Sequence, residues 1–100
     1  MKRSFKIGYI RKLNNNVNII GTNIKKIRKH KKLSQPELCK KLDLLGVNMF
    51  IADIYEIENN KRLVKDFEVK AFCIALNVSL DDIYDNTNKL FEISNLNFLN

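Results

Sequence analysis

The helix-start signal at Ser34-Gln35-Pro36-Glu37 constrains this chain more than any other feature of its sequence. A serine followed three residues later by glutamate can exchange side-chain and backbone hydrogen bonds with it. Pro36 falls in the first turn, where its missing N–H is harmless. A helix is therefore predicted over about residues 35–44. Its inward-facing side chains would be Leu38, Cys39 and Leu42.

Four more helices are predicted from start signals and from apolar residues at helical spacing. They cover about residues 23–31, 49–59, 66–77 and 79–84. The expected N-caps are Thr22, Asp66 and Ser79, the last paired with Asp82, and Asn77 is expected to end the fourth helix in a left-handed conformation. The expected inward-facing side chains are Ile24, Ile27, Phe50, Ile54, Ile57, Val69, Phe72, Cys73, Leu76, Leu80 and Ile83. The fold class that follows is all-α, with five short helices.

The two ends of the chain differ from this helical block. Residues 1–21 form a basic arm in which residues 4–10 alternate as a short strand would, before Asn14-Asn15-Asn16 interrupts the pattern. Residues 22–85 are the predicted domain, and residues 86–100 form an apolar, Asn-rich tail. Because the apolar residues of the strand and the tail have no place in a five-helix core, we expect them to be the contacts of a homodimer. Those residues are Phe5, Ile7, Tyr9, Phe91 and Ile93.

Length and composition limit the classes of protein that this chain can be. One hundred residues allow a single domain with a modest core. No segment is typical of a signal peptide or a membrane span, so a cytoplasmic location with no membrane partner is expected. Cys39 and Cys73 occupy apolar helix positions and are interpreted as buried hydrophobic residues. His30 stands within a run of lysines, and no motif for catalysis, a metal or a cofactor is found, so an enzyme is not expected.

The charge is distributed unevenly along the chain. The formal net charge is +7. Residues 1–41 contain 13 of the 18 lysines and arginines and one acid, Glu37, whereas residues 42–100 contain five bases and ten acids. A first half with a net charge of +12 favours a polyanionic partner.

The residues at the start of the second helix and at the end of the third resemble a known family. They are Ser34-Gln35, Leu38-Cys39, Gly46-Val47, Ile54, Ile57-Glu58, Asn59-Asn60-Lys61-Arg62 and Ala75-Leu76-Asn77-Val78. Over about residues 22–85 the chain resembles the phage repressor and Cro type of helix-turn-helix proteins, the xenobiotic-response-element-type regulators. The resemblance implies a compact lambda-repressor-like domain and a sequence-specific transcriptional regulator, in particular a repressor that binds double-stranded DNA as a homodimer.

The same resemblance, with the physical chemistry of DNA recognition, suggests roles for individual residues. The expected base contacts come from the third helix and the residues before it: Asn48, Met49, Ile51, Ala52, Tyr55 and Glu56. The expected phosphate contacts are Gln35, Asn59, Lys61 and Arg62. Arg28 and Glu58 are expected to form a partly buried ion pair between the first and third helices.

The chain departs from the family pattern where specificity should arise. Seven residues, 43–49, separate the predicted core contacts of the two helices, where a turn of three or four is usual, and residues 43–58 contain four acids and no base. Two interpretations remain open. Apolar and amide side chains could read an A·T-rich, near-palindromic operator. Alternatively, the domain is a protein-interaction module, such as an antitoxin or a regulator partner, that uses the same apolar and acidic helix to bind a protein.

Overall fold

The computed structural model describes residues 10–91, which contain five α-helices and no strand. The helices are α1 (Gly21–His30), α2 (Gln35–Asp43), α3 (Ile51–Glu58), α4 (Asp66–Leu76) and α5 (Leu80–Ile83), followed by a 3₁₀ turn at Thr87–Leu90. The all-α prediction is confirmed. The expected strand lies outside the described residues except for Ile10, and so does the tail from residue 92.

The core forms where α1, α2, α3 and α4 meet, and α5 closes it against α1 and α4. Its completely or almost completely buried side chains are Ile24, Leu38, Leu42, Ile54, Ile57, Phe72, Leu76 and Ile83. Each large apolar side chain removed from water contributes about 1.5–3 kcal/mol to stability. Cys73 is buried and Cys39 half-buried, both as free thiols whose pKa is raised by burial. No helix within residues 10–91 is long and apolar enough to cross a membrane.

Hydrogen bonds at the two serine helix starts match the predicted capping boxes. Ser34 Oγ accepts a bond of 3.1 Å from the Glu37 N–H, and the Ser34 N–H donates to the Glu37 carboxylate at 2.7 Å. Ser79 and Asp82 make the same exchange, at 3.1 and 3.0 Å. These bonds lower the pKa of Glu37 and Asp82. Asn77, with φ of 55°, ends α4 in the left-handed conformation, as predicted.

The caps expected for α1 and α4 were wrong. Thr22 lies inside α1, and the side chain of Asn18 accepts bonds from the N–H groups of Ile20 and Gly21, at 3.1 and 2.7 Å. Asp66 is the first helical residue of α4. The N–H before it, on Lys65, donates instead to the Glu68 carboxylate at 2.9 Å. In both cases a side chain a few residues away satisfies the free N–H groups at a helix start.

Two side chains that were expected to face inward are exposed. The helix α3 begins at Ile51, about two residues later than predicted, so Phe50 precedes the helix in extended backbone and is 81% exposed. Leu80 is the first residue of the four-residue α5 and is 54% exposed. In each case the apolar spacing was followed to the very start of a helix. A side chain at that position lies outside the core, although its spacing from the buried residues is helical.

Gly21 allows the start of α1 to approach the end of α3. A Cβ at this position would lie 1.7 Å from the carbonyl oxygen of Ile57, far inside van der Waals contact. Asn18 bonds to the same carbonyl at 3.1 Å and to that of Arg62 at 2.9 Å. The end of α3 is therefore held against the residues that lead into α1, and Asn18 and Ile20 are already buried before Thr22.

Candidate nucleic-acid interface

A buried network of charged and amide side chains joins the first three helices. Arg28 on α1 donates from Nε and Nη2 to the two carboxylate oxygens of Glu58 at the end of α3, at 2.6 and 3.0 Å. Gln35 at the start of α2 donates to the same carboxylate at 3.0 Å. Arg28 is 7% exposed and Glu58 3% exposed, and the bond to Glu58 raises the pKa of Arg28. The expected pair is therefore present, and it includes Gln35 as a third member.

Gln35 is less suited to hold a phosphate than its position in the sequence suggests. Its side-chain amide is already bonded to Glu58. Pro36 has no N–H, the Glu37 N–H is bonded to Ser34, and the Glu37 carboxylate lies at the same end of α2. A helix N-terminus attracts anions through free N–H groups, and this one is largely occupied by its own capping box.

One side of α3 faces outward and contains four of the six predicted base-contacting residues. Ile51 is 48% and Tyr55 59% exposed, and Ala52 and Glu56 are exposed beside them. Spacings of one, four and five residues place them on the surface opposite Ile54 and Ile57, which are buried. We name Ile51, Ala52, Tyr55 and Glu56 the outer face of α3.

The other two predicted base contacts precede the helix and differ from each other. Asn48 is exposed and lies next to the outer face in sequence. Met49 is half-buried and packs against the core, so the thymine contact expected of it does not match its position. Residues 46–50 alternate between exposed and half-buried, so Asn48 and Met49 differ although they are adjacent.

The connection between α2 and α3 spans residues 44–50 and is strongly apolar on its surface. Gly46, with φ of 82°, reverses the chain, and the Val47 N–H bonds back to the Leu42 carbonyl at 3.0 Å. Leu44 and Leu45 are 83% and 42% exposed, and Phe50 is exposed at the far end. Phe50 was predicted to face the core, and Leu44 and Leu45 were not among the predicted site residues. The signal for those two was a pair of adjacent large apolar side chains just before Gly46. We name Leu44, Leu45 and Phe50 the turn patch.

The four residues after α3 do not form the uniform phosphate-binding loop that was expected. Asn59 ends α3 by donating to the Tyr55 carbonyl at 2.8 Å, and Asn60 donates to the Asn18 carbonyl at 2.9 Å. Lys61 is exposed and makes no ion pair within residues 10–91. Two of the predicted phosphate contacts, Lys61 and Arg62, are cationic. Of these two, only Lys61 makes no ion pair within residues 10–91.

Arg62 is a structural cation, which corrects its predicted role as a free phosphate ligand. Its Nη1 and Nη2 donate to the Glu68 carboxylate at 3.2 and 3.3 Å, and its Nε lies 3.7 Å from Asp53 Oδ1. Asp53 also accepts from the Phe50 N–H at 2.8 Å. Arg62 therefore ties the start of α3 to the start of α4, and the bond to Glu68 raises its pKa.

Glu56 is the one charged side chain of the outer face of α3, and the exposed basic groups lie on other elements. Lys40, Lys41 and Lys61 are exposed, and so are Lys29, His30, Lys31 and Lys32 at the end of α1. No group of three or more metal-ligating side chains is present within residues 10–91. Comparison with known proteins gives no match to a family model, a curated protein or a solved structure.

Proposed function

We propose that this chain is a small sequence-specific DNA-binding regulator of the phage repressor and Cro helix-turn-helix type, with α3 as its recognition helix. One observation carries the proposal. The helix α3 is fixed to α1 and α2 by the buried Arg28–Glu58–Gln35 network, while its outer face remains open. A rigid helix with one free side is what insertion into a major groove requires. Access to DNA implies a cytoplasmic location.

The outer face favours contacts to methyl and amino groups over contacts to guanine. Ile51 and Ala52 can pack against thymine methyl groups, and Glu56 can accept from a cytosine amino group. Asn48 can pair with adenine in the same way. An A·T-rich operator follows, and a homodimer would place two such helices about 34–36 Å apart on a near-palindrome.

The attraction to phosphate must come from residues around this face. Lys61 follows α3 directly, and Lys40 and Lys41 are exposed on α2. Arg62 is excluded from this set because two carboxylates already neutralise it. Lysine ammonium groups at the margin of a recognition helix bind phosphate without regard to sequence and make affinity strongly dependent on salt.

Fluorescence anisotropy with a labelled pool of A·T-rich duplexes tests the proposal. We expect binding at about 50 mM salt and a weakening of about fortyfold at about 200 mM, as for roughly three neutralised phosphates. Absence of binding to any duplex at the lower salt concentration would overturn the DNA-binding function.

Matched substitutions separate specific contacts from general attraction. Lys61→Gln should weaken binding to all sequences alike and reduce the salt slope by about one, whereas Lys70→Gln, at an exposed position of α4, should change neither. Ile51→Ala should change the preferred sequence. Ile74→Ala is the control. Ile74 is 54% exposed, similar to the 48% of Ile51, but it lies on α4 and not on the recognition helix.

A second candidate function, a protein-interaction module, is favoured by the turn patch. Leu44 and Phe50 are each more than four-fifths exposed, and Asp43 and Glu56 lie near them in sequence. Exposed apolar side chains with an acidic rim suit a protein surface with an apolar centre and basic margins. If DNA binding is absent, and a protein retained by the wild-type chain is lost with Leu44→Ser and Phe50→Ser together, this function replaces the first.

A further inference from the structure

Phe50 is an exposed aromatic residue at the start of α3 that the proposed base contacts leave unused. It is 81% exposed and stands in the N-cap position, immediately before Ile51, the first residue of the outer face of α3. Its backbone is extended, with φ of −84° and ψ of 161°, so its side chain does not follow the helical spacing that buries Ile54. A large apolar ring therefore lies on the surface at the N-terminal end of this helix.

Phenylalanine is a poor choice for this position if stability alone is considered. Serine, asparagine or aspartate at an N-cap accepts a hydrogen bond from a free N–H group of the first turn, which phenylalanine cannot do. The helices α2 and α5 begin with such a residue, Ser34 and Ser79. A local choice that opposes stability is typical of functional sites. The ring of Phe50 is therefore better explained by contact with a partner than by folding.

The backbone that carries this ring is held by hydrogen bonds on both sides. The Phe50 N–H donates to Asp53 Oδ2 at 2.8 Å. The Phe50 carbonyl accepts from the N–H groups of Asp53 and Ile54, at 3.0 and 3.2 Å. Because these bonds fix the backbone before any partner arrives, a contact made by the ring costs little further ordering.

The acidic group nearest to Phe50 in the chain is not left to repel a polyanion on its own. That group is the Asp53 carboxylate, which lies 3.7 Å from Arg62 Nε and accepts from the Phe50 N–H. An opposite charge at this distance partly offsets the negative charge at the start of α3. The pairing that removes Arg62 from the phosphate contacts thus makes the N-terminal end of α3 more accessible to DNA.

We propose that Phe50 is a further base-contacting residue whose ring packs against the methyl group of a thymine in the major groove. The proposal rests on the proposed function, in which α3 is the recognition helix. Residues at the N-terminal end of a recognition helix are the ones that contact base edges, and Phe50 occupies that end. A phenylalanine ring has no hydrogen-bond donor or acceptor, so the feature of a base edge that it recognises is the thymine methyl group. The DNA partner is thereby narrowed to a duplex with a thymine at the start of α3.

Replacing thymine with deoxyuridine tests this contact, because it removes the methyl group and keeps the base pairing. The tightest-binding duplex selected from the A·T-rich pool is synthesised with thymine and with deoxyuridine throughout. Fluorescence anisotropy with the full chain at about 50 mM salt gives the ratio of the two dissociation constants. This ratio should be about fourfold smaller for Phe50→Ser than for the wild type, as for one methyl group removed from water. Methyl contacts of Ile51 and Ala52 affect both ratios alike and cancel in the comparison.

Leu44→Ser is the matched control for Phe50→Ser. Leu44 is 83% exposed and belongs to the same connection, but it lies at the end of α2. Its ratio should equal that of the wild type, and a fall as large as that of Phe50→Ser would overturn the proposal. An unchanged ratio for Phe50→Ser would also overturn it, leave the DNA-binding function in place and assign the ring to a protein surface. If the wild type binds neither duplex, the proposed function itself fails, and this inference fails with it.

Discussion

Gly21 has no room for a side chain, because the Ile57 carbonyl occupies the space where a Cβ would be. Gly21→Ala should therefore lower the free energy of unfolding by about 3 kcal/mol or more, as for severe overpacking. Urea denaturation followed by circular dichroism measures the change. Gly46→Asn is the control, since Gly46 has a positive φ that asparagine tolerates and nothing lies within 4 Å of the added Cβ. A loss at Gly21 no larger than at Gly46 would mean that α1 and α3 are not in close contact.

Arg28 is the residue whose loss should be felt most strongly in the buried network. Arg28→Met leaves the Glu58 carboxylate buried with only Gln35 as a side-chain partner, and removing one member of a buried pair costs about 3–5 kcal/mol. Replacing Glu58 with leucine in the same chain should recover most of that loss, because no charge is then stranded. The double-mutant cycle, measured by urea denaturation, checks this. Equal losses in the single and double variants would show that the carboxylate is not desolvated.

At the scale of a helix, the start of α3 can be tested by replacing Phe50. An exposed and an inward-facing Phe50 predict changes of opposite sign in the free energy of unfolding. Phe50 stands in the N-cap position without a side-chain cap, and Asp53 already accepts from its N–H. Phe50→Ser should therefore stabilise the domain by about 0.5 kcal/mol, since serine can cap the helix. An inward-facing phenylalanine, as the sequence predicted, would make the same change cost about 3–5 kcal/mol. Urea denaturation distinguishes the two outcomes, with Phe67→Ser as a control at a side chain 55% exposed on α4.

Helix starts that depend on a local serine were predictable, and those that depend on distant residues were not. The Ser34 and Ser79 boxes are each complete within four residues, so sequence alone identifies them. The capping of α1 by Asn18 required knowledge that Asn18 is also held by the Ile57 and Arg62 carbonyls, about 40 residues away. The spacing of Phe50 with Ile54 was helical, but spacing cannot show where a helix begins.

The candidate site was predictable to a similar extent. The outer face of α3 and the Arg28–Glu58 pair followed from helical spacing and from the family resemblance. The pairing of Arg62 did not, because it depends on how the starts of α3 and α4 are placed in space. A basic residue in a loop has no sequence signature that separates a free cation from a paired one.

For the whole molecule, the ionisation of carboxylates predicts how stability depends on pH. Burial opposes ionisation of Glu68, but bonds from Arg62 and from the Lys65 N–H outweigh it and lower its pKa. A lowered pKa in the folded state gives stability that is complete above the ordinary carboxyl pKa of about 4.3 and is lost as the pH falls through the lowered value. Glu37 and Asp82 act in the same direction.

The free energy of unfolding should therefore decrease progressively as the pH falls below about 4.3. Urea denaturation from pH 7 to pH 2 measures this decrease. Glu68→Gln removes one of the titrating groups, so the variant should be less stable at neutral pH but lose less on acidification. Ile74→Ala, at a 54% exposed position of the same helix that carries no titrating group, should leave the slope close to that of the wild type. An identical slope for Glu68→Gln and the wild type would contradict the assignment.

The side chain of Asn23 on α1 donates to the carbonyl oxygens of Ile83 and Asp85, at 2.8 and 2.9 Å, and these bonds can form only late in synthesis. Ile83 and Asp85 follow Asn23 in the chain by 60 and 62 residues. A ribosome that adds about 5–20 residues per second needs several seconds to make that interval. Until then Asn23 lacks both of these hydrogen-bond acceptors, and α1 can pack only against the helices made before α5. The domain is thus completed only when most of its chain has been made, and the nascent first half, with its net charge of +12, spends that time incompletely folded.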